Sequence, residues 1–407
     1  MFNRRKPIKE FGKIYDYLKD HKLRFEERQD THIQVKDADF RGEEFINVKW
    51  AHFHFFNCRF PTAYHLKVSE TTNCIFSRCE FGPGAKNATL LFGGMKNVRF
   101  DQCKQINGNV STRGEGSFNN CEFENTIPTS STSWNHFLSG DSLVLSRCTF
   151  RNVDLSVEVK LHMKDCDYAS TGSGQLNPGT NYTADIILED TLIKHAEELL
   201  WNAKLKNLTL KGCRVEGMFS AQESHIQDTI LLEGLKVGIY EFARCGPDNK
   251  FIIRDCYFSE VDERTNYLFL CSGGYPLETL LERVECTNAA PCNLTGANEG
   301  TTEKFRRPLP RNQSFVLRNC KIPTLWMNWL MTYHLVIENC EFGTLELKNA
   351  RIGKVTIKNS KFDTLNLTRT LAGKYEIDKA STGHIVTAES NYPEGGYKID
   401  GGQQGGQ

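Results

Sequence analysis

Apolar residues recur with a period of five along the C-terminal part of the chain. From Phe315 the sequence divides without a gap into FVLRN, CKIPT, LWMNW, LMTYH, LVIEN, CEFGT, LELKN, ARIGK, VTIKN, SKFDT and LNLTR. The first and third positions of each group are apolar or small, and the other three are mostly polar. The same division works between Ala38 and Thr62, where aromatic residues fill the third positions: Phe40, Phe45, Trp50, Phe55 and Phe60.

A period of five fits neither the 3.6-residue helix nor the two-residue alternation of a simple strand. It fits a square coil in which each group forms one side and turns its first and third residues inward. Cys320, Cys340 and Ser360 recur at equivalent positions, and the spacing between them equals four groups, which is one complete turn. Parallel pairing then stacks successive turns about 4.8 Å apart. The pattern therefore predicts an all-β quadrilateral solenoid.

One group carries a family resemblance. Ala38-Asp39-Phe40 fits the consensus of pentapeptide repeats, which is a small residue, Asp or Asn, Leu or Phe, and two variable residues. The chain resembles a degenerate member of that family from about Val35 to Thr370, although Cys often takes the small position and many second positions are neither Asp nor Asn. The resemblance implies a right-handed parallel β-helix from a bacterium or phage. Interruptions in the repeat leave a larger β-helix of the pectate-lyase shape as the alternative.

Many of the fifteen cysteines share one position, two residues before a large apolar side chain. We expect them to form a column inside the solenoid. The chain has no CxxC pair and no His at ligand spacing from a Cys pair, so we interpret the column as small buried hydrophobes and predict no metal and no other cofactor. The column consists of Cys58, Cys79, Cys121, Cys148, Cys166, Cys213, Cys256, Cys320 and Cys340.

The ends of the chain differ from its centre. Residues 8–21 show helical spacing of apolar residues among Lys and Arg, which predicts a short capping helix within residues 1–34, with a membrane-surface or partner-docking helix as the alternative. The solenoid is predicted over residues 35–390 and a flexible Gly/Gln tail over 391–407. Longer loops are predicted to leave the coil near one edge, as a binding face or as tolerated decoration. They span residues 82–97, 124–141, 169–185, 262–277 and 287–314.

Charge limits the choice of partners. Lys and Arg number 50 and Asp and Glu number 50, so the chain as a whole has no net field that would attract nucleic acid or an anionic membrane. No apolar run of membrane-spanning length occurs, and the first 28 residues contain no apolar segment of signal-peptide length. We therefore expect a cytoplasmic protein with reduced thiols; delivery by a non-classical route or in a phage particle stays open.

The groups LWMNW and LMTYH contain the strongest candidate for a binding site. With the first and third residue of each group inside, five large side chains point outward together on adjoining sides of the coil. Exposed Trp and Tyr in a cluster are typical anchors of protein or sugar interfaces. The alternative is that the C-terminal segment or the loop before Ser314 covers them. The predicted binding residues are Trp326, Trp329, Met331, Tyr333 and His334.

No motif for nucleophilic, phosphate-binding or zinc-dependent catalysis occurs in the chain. We therefore favour a non-enzymatic scaffold that binds a protein through its loops and aromatic residues. Some pentapeptide-repeat proteins mimic DNA and bind topoisomerases, and similar domains occur in secreted effectors, but neutral net charge argues against DNA mimicry. A carbohydrate-binding or carbohydrate-cleaving β-helix is the alternative, and self-association a third. Carboxylate clusters such as Asp165 with Asp167, Glu189 with Asp190, and Glu260 with Asp262 and Glu263 would serve cleavage.

Overall fold

Two compact units make up this computed structural model, residues Met1–Ala196 (unit 1) and Glu197–Gln407 (unit 2). No helix occurs in the part of the chain that the structure describes, and the strands stack in parallel, which confirms the right-handed, quadrilateral parallel β-solenoid. The predicted capping helix and residues 392–407 of the predicted tail lie outside the described residues. Those are 33–41, 46–60, 66–82, 89–124, 126, 136–169, 176–178, 183–194, 199–200, 203–216, 218–221, 224–236, 239–243, 246–259, 269–272, 276–287, 290–294 and 309–391.

Unit 1 is built from short and long strands that pair only in parallel. The long strands β8, β10, β12, β14 and β17 pair in that order, and the short strands β4, β7, β9, β11, β13, β15 and β18 form a second face. Its strands are β1 (Ile33–Lys36), β2 (Ile46–Ala51), β3 (Phe53–Phe56), β4 (Arg59–Phe60), β5 (Leu66–Thr72), β6 (Ile75–Ser77), β7 (Glu80–Phe81), β8 (Thr89–Asp101), β9 (Lys104–Ile106), β10 (Asn109–Asn119), β11 (Glu122–Glu124), β12 (His136–Ser146), β13 (Thr149–Arg151), β14 (Asp154–Lys164), β15 (Asp167–Ala169), β16 (Leu176–Pro178), β17 (Ala184–Glu189) and β18 (Leu192–Lys194).

Unit 2 has the same design. One face pairs β19, β22, β25, β28, β31, β33, β35 and β37 in order, and the other pairs β30, β32, β34, β36 and β38. Its strands are β19 (Lys204–Lys211), β20 (Arg214–Glu216), β21 (Met218–Ser220), β22 (His225–Glu233), β23 (Ile239–Ala243), β24 (Gly246–Pro247), β25 (Lys250–Arg254), β26 (Tyr257–Phe258), β27 (Phe269–Ser272), β28 (Glu278–Glu282), β29 (Glu285–Cys286), β30 (Cys292–Asn293), β31 (Ser314–Arg318), β32 (Lys321–Trp326), β33 (Met331–Glu338), β34 (Glu341–Glu346), β35 (Arg351–Lys358), β36 (Lys361–Asn366), β37 (Leu371–Ile377) and β38 (Thr382–Val386).

Stacked aromatic rings fill the core of unit 1. Phe76 lies 5.1 Å from Phe55 and 4.7 Å from Phe100 between ring centroids, and Phe100 lies 4.4 Å from Phe118. The planes in these three pairs differ by only 15°, 9° and 8°. Parallel pairing in register places one ring directly above the next, so the aromatic third positions of the repeat become a continuous stack.

The core of unit 2 follows the period of five. In every group from Phe315 to Arg369, the first and third residues are buried and the other positions are almost all at least partly exposed. β33 and β35 pair twenty residues apart, with Leu335 opposite Val355 and Ile337 opposite Ile357. The predicted coil of four five-residue sides is therefore confirmed in this stretch.

A left-handed residue forms one corner of each regular coil. Asn319, Asn339 and Asn359 have φ angles of 54°, 54° and 45°. Asn tolerates this conformation better than most residues with a side chain, because its side-chain amide can form hydrogen bonds with nearby backbone groups. The Nδ2 of Asn359 donates to the Oδ1 of Asn339 at 2.8 Å, so the corner side chains also connect neighbouring coils.

The buried residue after each such corner is commonly Cys. All nine cysteines of the predicted column are buried free thiols, and Cys79 donates to the carbonyls of Ser77 and Phe55 at 3.5 and 3.4 Å. Burial raises the pKa of both Cys74 and Cys256 to about 12. The column also includes Cys103, which the pattern missed because buried Gln105 replaces the usual large apolar residue.

The predicted loops were partly wrong, because each contains a strand. β8 begins at Thr89 and β12 at His136, while β16, β27 and β30 lie wholly inside the other three ranges. In β8 the buried Leu90 and Phe92 continue the core. A left-handed Gly94, with φ of 52°, then interrupts the alternation of buried and exposed residues in this strand. The interruption breaks the five-residue period, so the sequence pattern indicated a loop here.

Candidate interaction surface

The five predicted binding residues lie in unit 2 on β32, β33 and the turn between them. The intervening residues Leu325, Met327 and Leu330 are 0% exposed, and Thr332 is 1% exposed. Of the five, Tyr333 is exposed and the other four are partly exposed. We call Trp326, Trp329, Met331, Tyr333 and His334 the aromatic surface.

Trp326 ends β32 beside a polar cluster. On the next coil its register partner is Glu346, and on the preceding coil it is Asn293. The carboxylate of Glu346 accepts hydrogen bonds from the Nδ2 of Asn328 at 3.2 Å and the Nζ of Lys348 at 2.9 Å. Hydrogen-bonding groups therefore border the indole.

Trp329 occupies a left-handed corner with φ of 60°. The equivalent corner residues on the next two coils are Asn349 and Arg369, with φ angles of 55° and 56°. The backbone N–H of Trp329 donates to the carbonyl of Lys348 at 2.8 Å, which fixes the turn to the next coil. A bulky aromatic residue in this conformation is uncommon and costs on the order of 1–2 kcal/mol.

Tyr333 lies at a bend within β33 and is 38% exposed. The residue next to it on the following coil is Gly353. A Cβ atom on Gly353 would lie 2.6 Å from the Tyr333 carbonyl oxygen and 2.9 Å from its Cδ2 atom. Because Gly353 has no side chain, the Tyr333 ring can lie against this part of the next coil without a steric clash.

His334 follows Tyr333 on β33 and is the last residue of the aromatic surface. Its Nε2 atom lies 3.1 Å from the Oγ1 of Thr356. Burial, and after it the Lys354 ammonium, lower the pKa of His334, and the Glu376 carboxylate opposes them. Near neutral pH the aromatic surface therefore carries no charge of its own.

Two members of the carboxylate clusters considered for cleavage contact basic or imidazole side chains. Asp167 lies 3.2 Å from the Arg151 guanidinium and 3.8 Å from the Lys194 ammonium. Glu189 lies 3.1 Å from the Nε2 of His162. Glu260, Asp262 and Glu263 lie outside the described residues.

Sequence reasoning missed a second exterior feature of unit 2, which follows one edge of the β22 to β35 face. An acidic and a basic residue alternate there from coil to coil, beside a row of aliphatic residues. The signal was present, because FVLRN and LVIEN have Val at the outward second position and opposite charges at the fourth. The core repeat does not imply this alternation, because outward positions are not constrained by the core.

The geometry defines a right-handed quadrilateral β-solenoid with an aromatic surface on two adjoining sides of its coils. No protein-family model, no curated protein and no solved structure matches the chain. Across the described ranges, no three His, Cys, Asp or Glu side chains cluster in a way that could hold a metal ion. Within the same ranges there is also no helix with the length and apolarity needed to cross a membrane.

Proposed function

We propose that this protein is a non-enzymatic scaffold that binds another protein through the aromatic surface. The left-handed Trp329 is the observation that carries the proposal. Equivalent corners on the following coils hold Asn, Arg or Glu with similar φ angles, so the turn itself does not require an indole at this left-handed position. Strain of this kind is concentrated at functional sites.

The composition of the surface supports a protein as the partner. Trp, Tyr and Met are enriched at protein interfaces, and Trp and Tyr supply most hot spots. The neutral His334 adds no charge that would have to be desolvated, while Glu346 and Lys348 supply hydrogen-bonding groups at the rim. A rigid β-solenoid would hold these side chains in place before binding, which lowers the entropic cost of association.

Two further features fit this proposal. The five-residue repeat supports a relationship to pentapeptide-repeat proteins, which include non-enzymatic protein binders. The thirteen cysteines whose side chains the structure describes are free thiols, which supports a reducing compartment such as the cytoplasm. Carbohydrate binding through the same aromatic rings is the competing function.

The test replaces Trp329 with the residue that the next coil uses at this corner. We expect Trp329→Asn to keep or raise the midpoint of chemical denaturation, because Asn adopts left-handed backbone more readily. Binding to partners captured from a lysate of the source organism should fall at least about tenfold, as at a hot spot. Tyr257→Ser is the control, since Tyr257 is an aromatic residue that is 36% exposed and lies outside the surface.

Equal capture by the native chain and by Trp329→Asn would contradict the proposal. If neither captures a protein but the native chain binds a glycan array and the variant does not, the surface is a carbohydrate site. A large loss of stability in Trp329→Asn would show that the indole is structural.

A further inference from the structure

A second exterior face of unit 2 carries two parallel rows of residues. In both rows, successive residues are register partners; the aliphatic row runs from β22 through β25, β28 and β31 to β33, and the charged row continues to β35. The aliphatic row consists of Leu231, Ile252, Leu280, Val316 and Val336, all partly exposed. The charged row, two residues further along each strand, consists of Glu233, Arg254, Glu282, Arg318, Glu338 and Lys358.

The charged row is a ladder of alternating ion pairs. Arg254 lies 2.9 Å from Glu233, Arg318 lies 3.9 Å from Glu282, and Arg318 and Lys358 lie 3.3 and 3.4 Å from Glu338. Each cation therefore lies against an anion on a neighbouring coil. All of these pairs are partly solvated, so they hold their positions without adding much to stability.

The order of the charges makes this face complementary to itself. Consider a two-fold axis that runs along the strand direction between Glu282 and Arg318. Rotation about this axis generates a second copy whose coils run in the reverse order. Positions along the strand do not change, so each row faces the same row of the second copy. Glu282 then faces Arg318 of the second copy, Arg254 faces Glu338, and Glu233 faces Lys358. All six charges of the row meet an opposite charge.

The same axis pairs four of the five aliphatic residues with one another, while Leu231 faces Thr356 of the second copy. Leu280 faces Val316 of the second copy, and Ile252 faces Val336. A shift of one coil in either direction would put carboxylates opposite carboxylates and cations opposite cations, so the charges select one register. We propose that unit 2 forms an antiparallel two-fold dimer through this face, centred between Glu282 and Arg318.

The size of the face sets the expected strength of the dimer. The face extends about 24 Å along the stacked coils and about 16 Å along each strand. The area is below that of a standard interface, so the dimer should dissociate in the micromolar range. The two rows contain none of the five residues of the aromatic surface, so this proposal does not depend on that surface.

The decisive test is complementation between two charge reversals. In its own dimer, Arg318→Glu places a carboxylate opposite the Glu282 carboxylate at both central pairs, and Glu282→Arg places guanidinium groups opposite each other there. We expect each variant alone to dimerise at least about tenfold more weakly than the native chain in sedimentation velocity. An equimolar mixture should associate more tightly than either variant alone, because both central pairs of the mixed dimer then join a carboxylate of the acidic variant to a guanidinium of the basic one.

The full chain is used throughout, and circular dichroism checks that each variant is folded. Lys361→Glu is the control, because it makes the same kind of charge change at an exposed residue of β36, on the other face of unit 2. This variant should dimerise like the native chain. A native chain that stays monomeric up to about 200 µM overturns the proposal. Single variants that dimerise normally, or a mixture that stays as weak as its components, also overturn it.

Discussion

Phe342 shows how a single residue links two coils. Its ring stacks on Phe362 with centroids 5.6 Å apart and planes 10° apart, and the two residues are 2% and 5% exposed. Truncation to Ala would leave a cavity that the β-paired backbone on either side cannot close. We expect Phe342→Ala to lower the free energy of unfolding by about 3–5 kcal/mol, measured by urea denaturation.

The neighbouring Glu341→Ala is the control for this prediction. Glu341 is exposed and lies on the same strand, so its loss should change the free energy of unfolding by less than about 0.5 kcal/mol. Similar losses for the two variants would mean that the alternation of inward and outward residues in β34 is wrong.

Residue by residue, the sequence predicted the inward positions more completely than the roles of the outward ones. Inward residues obey one rule, since each must be apolar or small enough to fill a square core. Gln105 broke that rule while remaining buried, and so Cys103 was overlooked in the column. The left-handed backbone of Trp329 could not be predicted, because that corner is usually marked by Asn or Gly and the sequence there has an aromatic residue.

The corner is the element that repeats most regularly. Asn319, Asn339 and Asn359 share left-handed φ angles directly before the buried column, and Asn339 accepts a hydrogen bond from Asn359. Asn339→Ala would keep a Cβ atom in this conformation and lose the amide. We expect a loss of about 1–2 kcal/mol in unfolding free energy by chemical denaturation.

Asn339→Gly separates the backbone effect from the hydrogen bond. Glycine adopts left-handed φ freely, so this variant should lose less than half as much stability as Asn339→Ala. If glycine is as harmful as alanine, the side-chain ladder between corners, and not the backbone conformation, stabilises this element.

Strands in the predicted loops show why a strict period fails over part of the chain. β8 and β10 pair with register shifts near Thr112 and Gly114, so the number of residues per side varies there. Each bulge adds a residue without changing which face is buried. The period of five therefore holds from Phe315 to Arg369 and between Ala38 and Thr62, and it fails in the coils of unit 1 that contain these bulges.

At the scale of the whole molecule, the period predicted stacked parallel coils, and each compact unit contains them. The exterior could not be derived in the same way. A core position is restricted by its neighbours in every coil, whereas an outward position is restricted only by solubility or by a partner. The alternating charges from Glu233 to Lys358 were therefore recognisable only when the coils were aligned in register.

The stacked design also predicts how damage spreads within unit 2. Each coil pairs with the coils directly before and after it, so stability is close to a sum of local terms between neighbours. We expect Phe342→Ala to accelerate amide hydrogen exchange in β32, β34 and β36 and to leave β19 and β22 at native protection, measured by mass spectrometry. Glu341→Ala should change neither region. Equal acceleration from β19 to β38 would contradict this, because it would mean that unit 2 opens as one cooperative block.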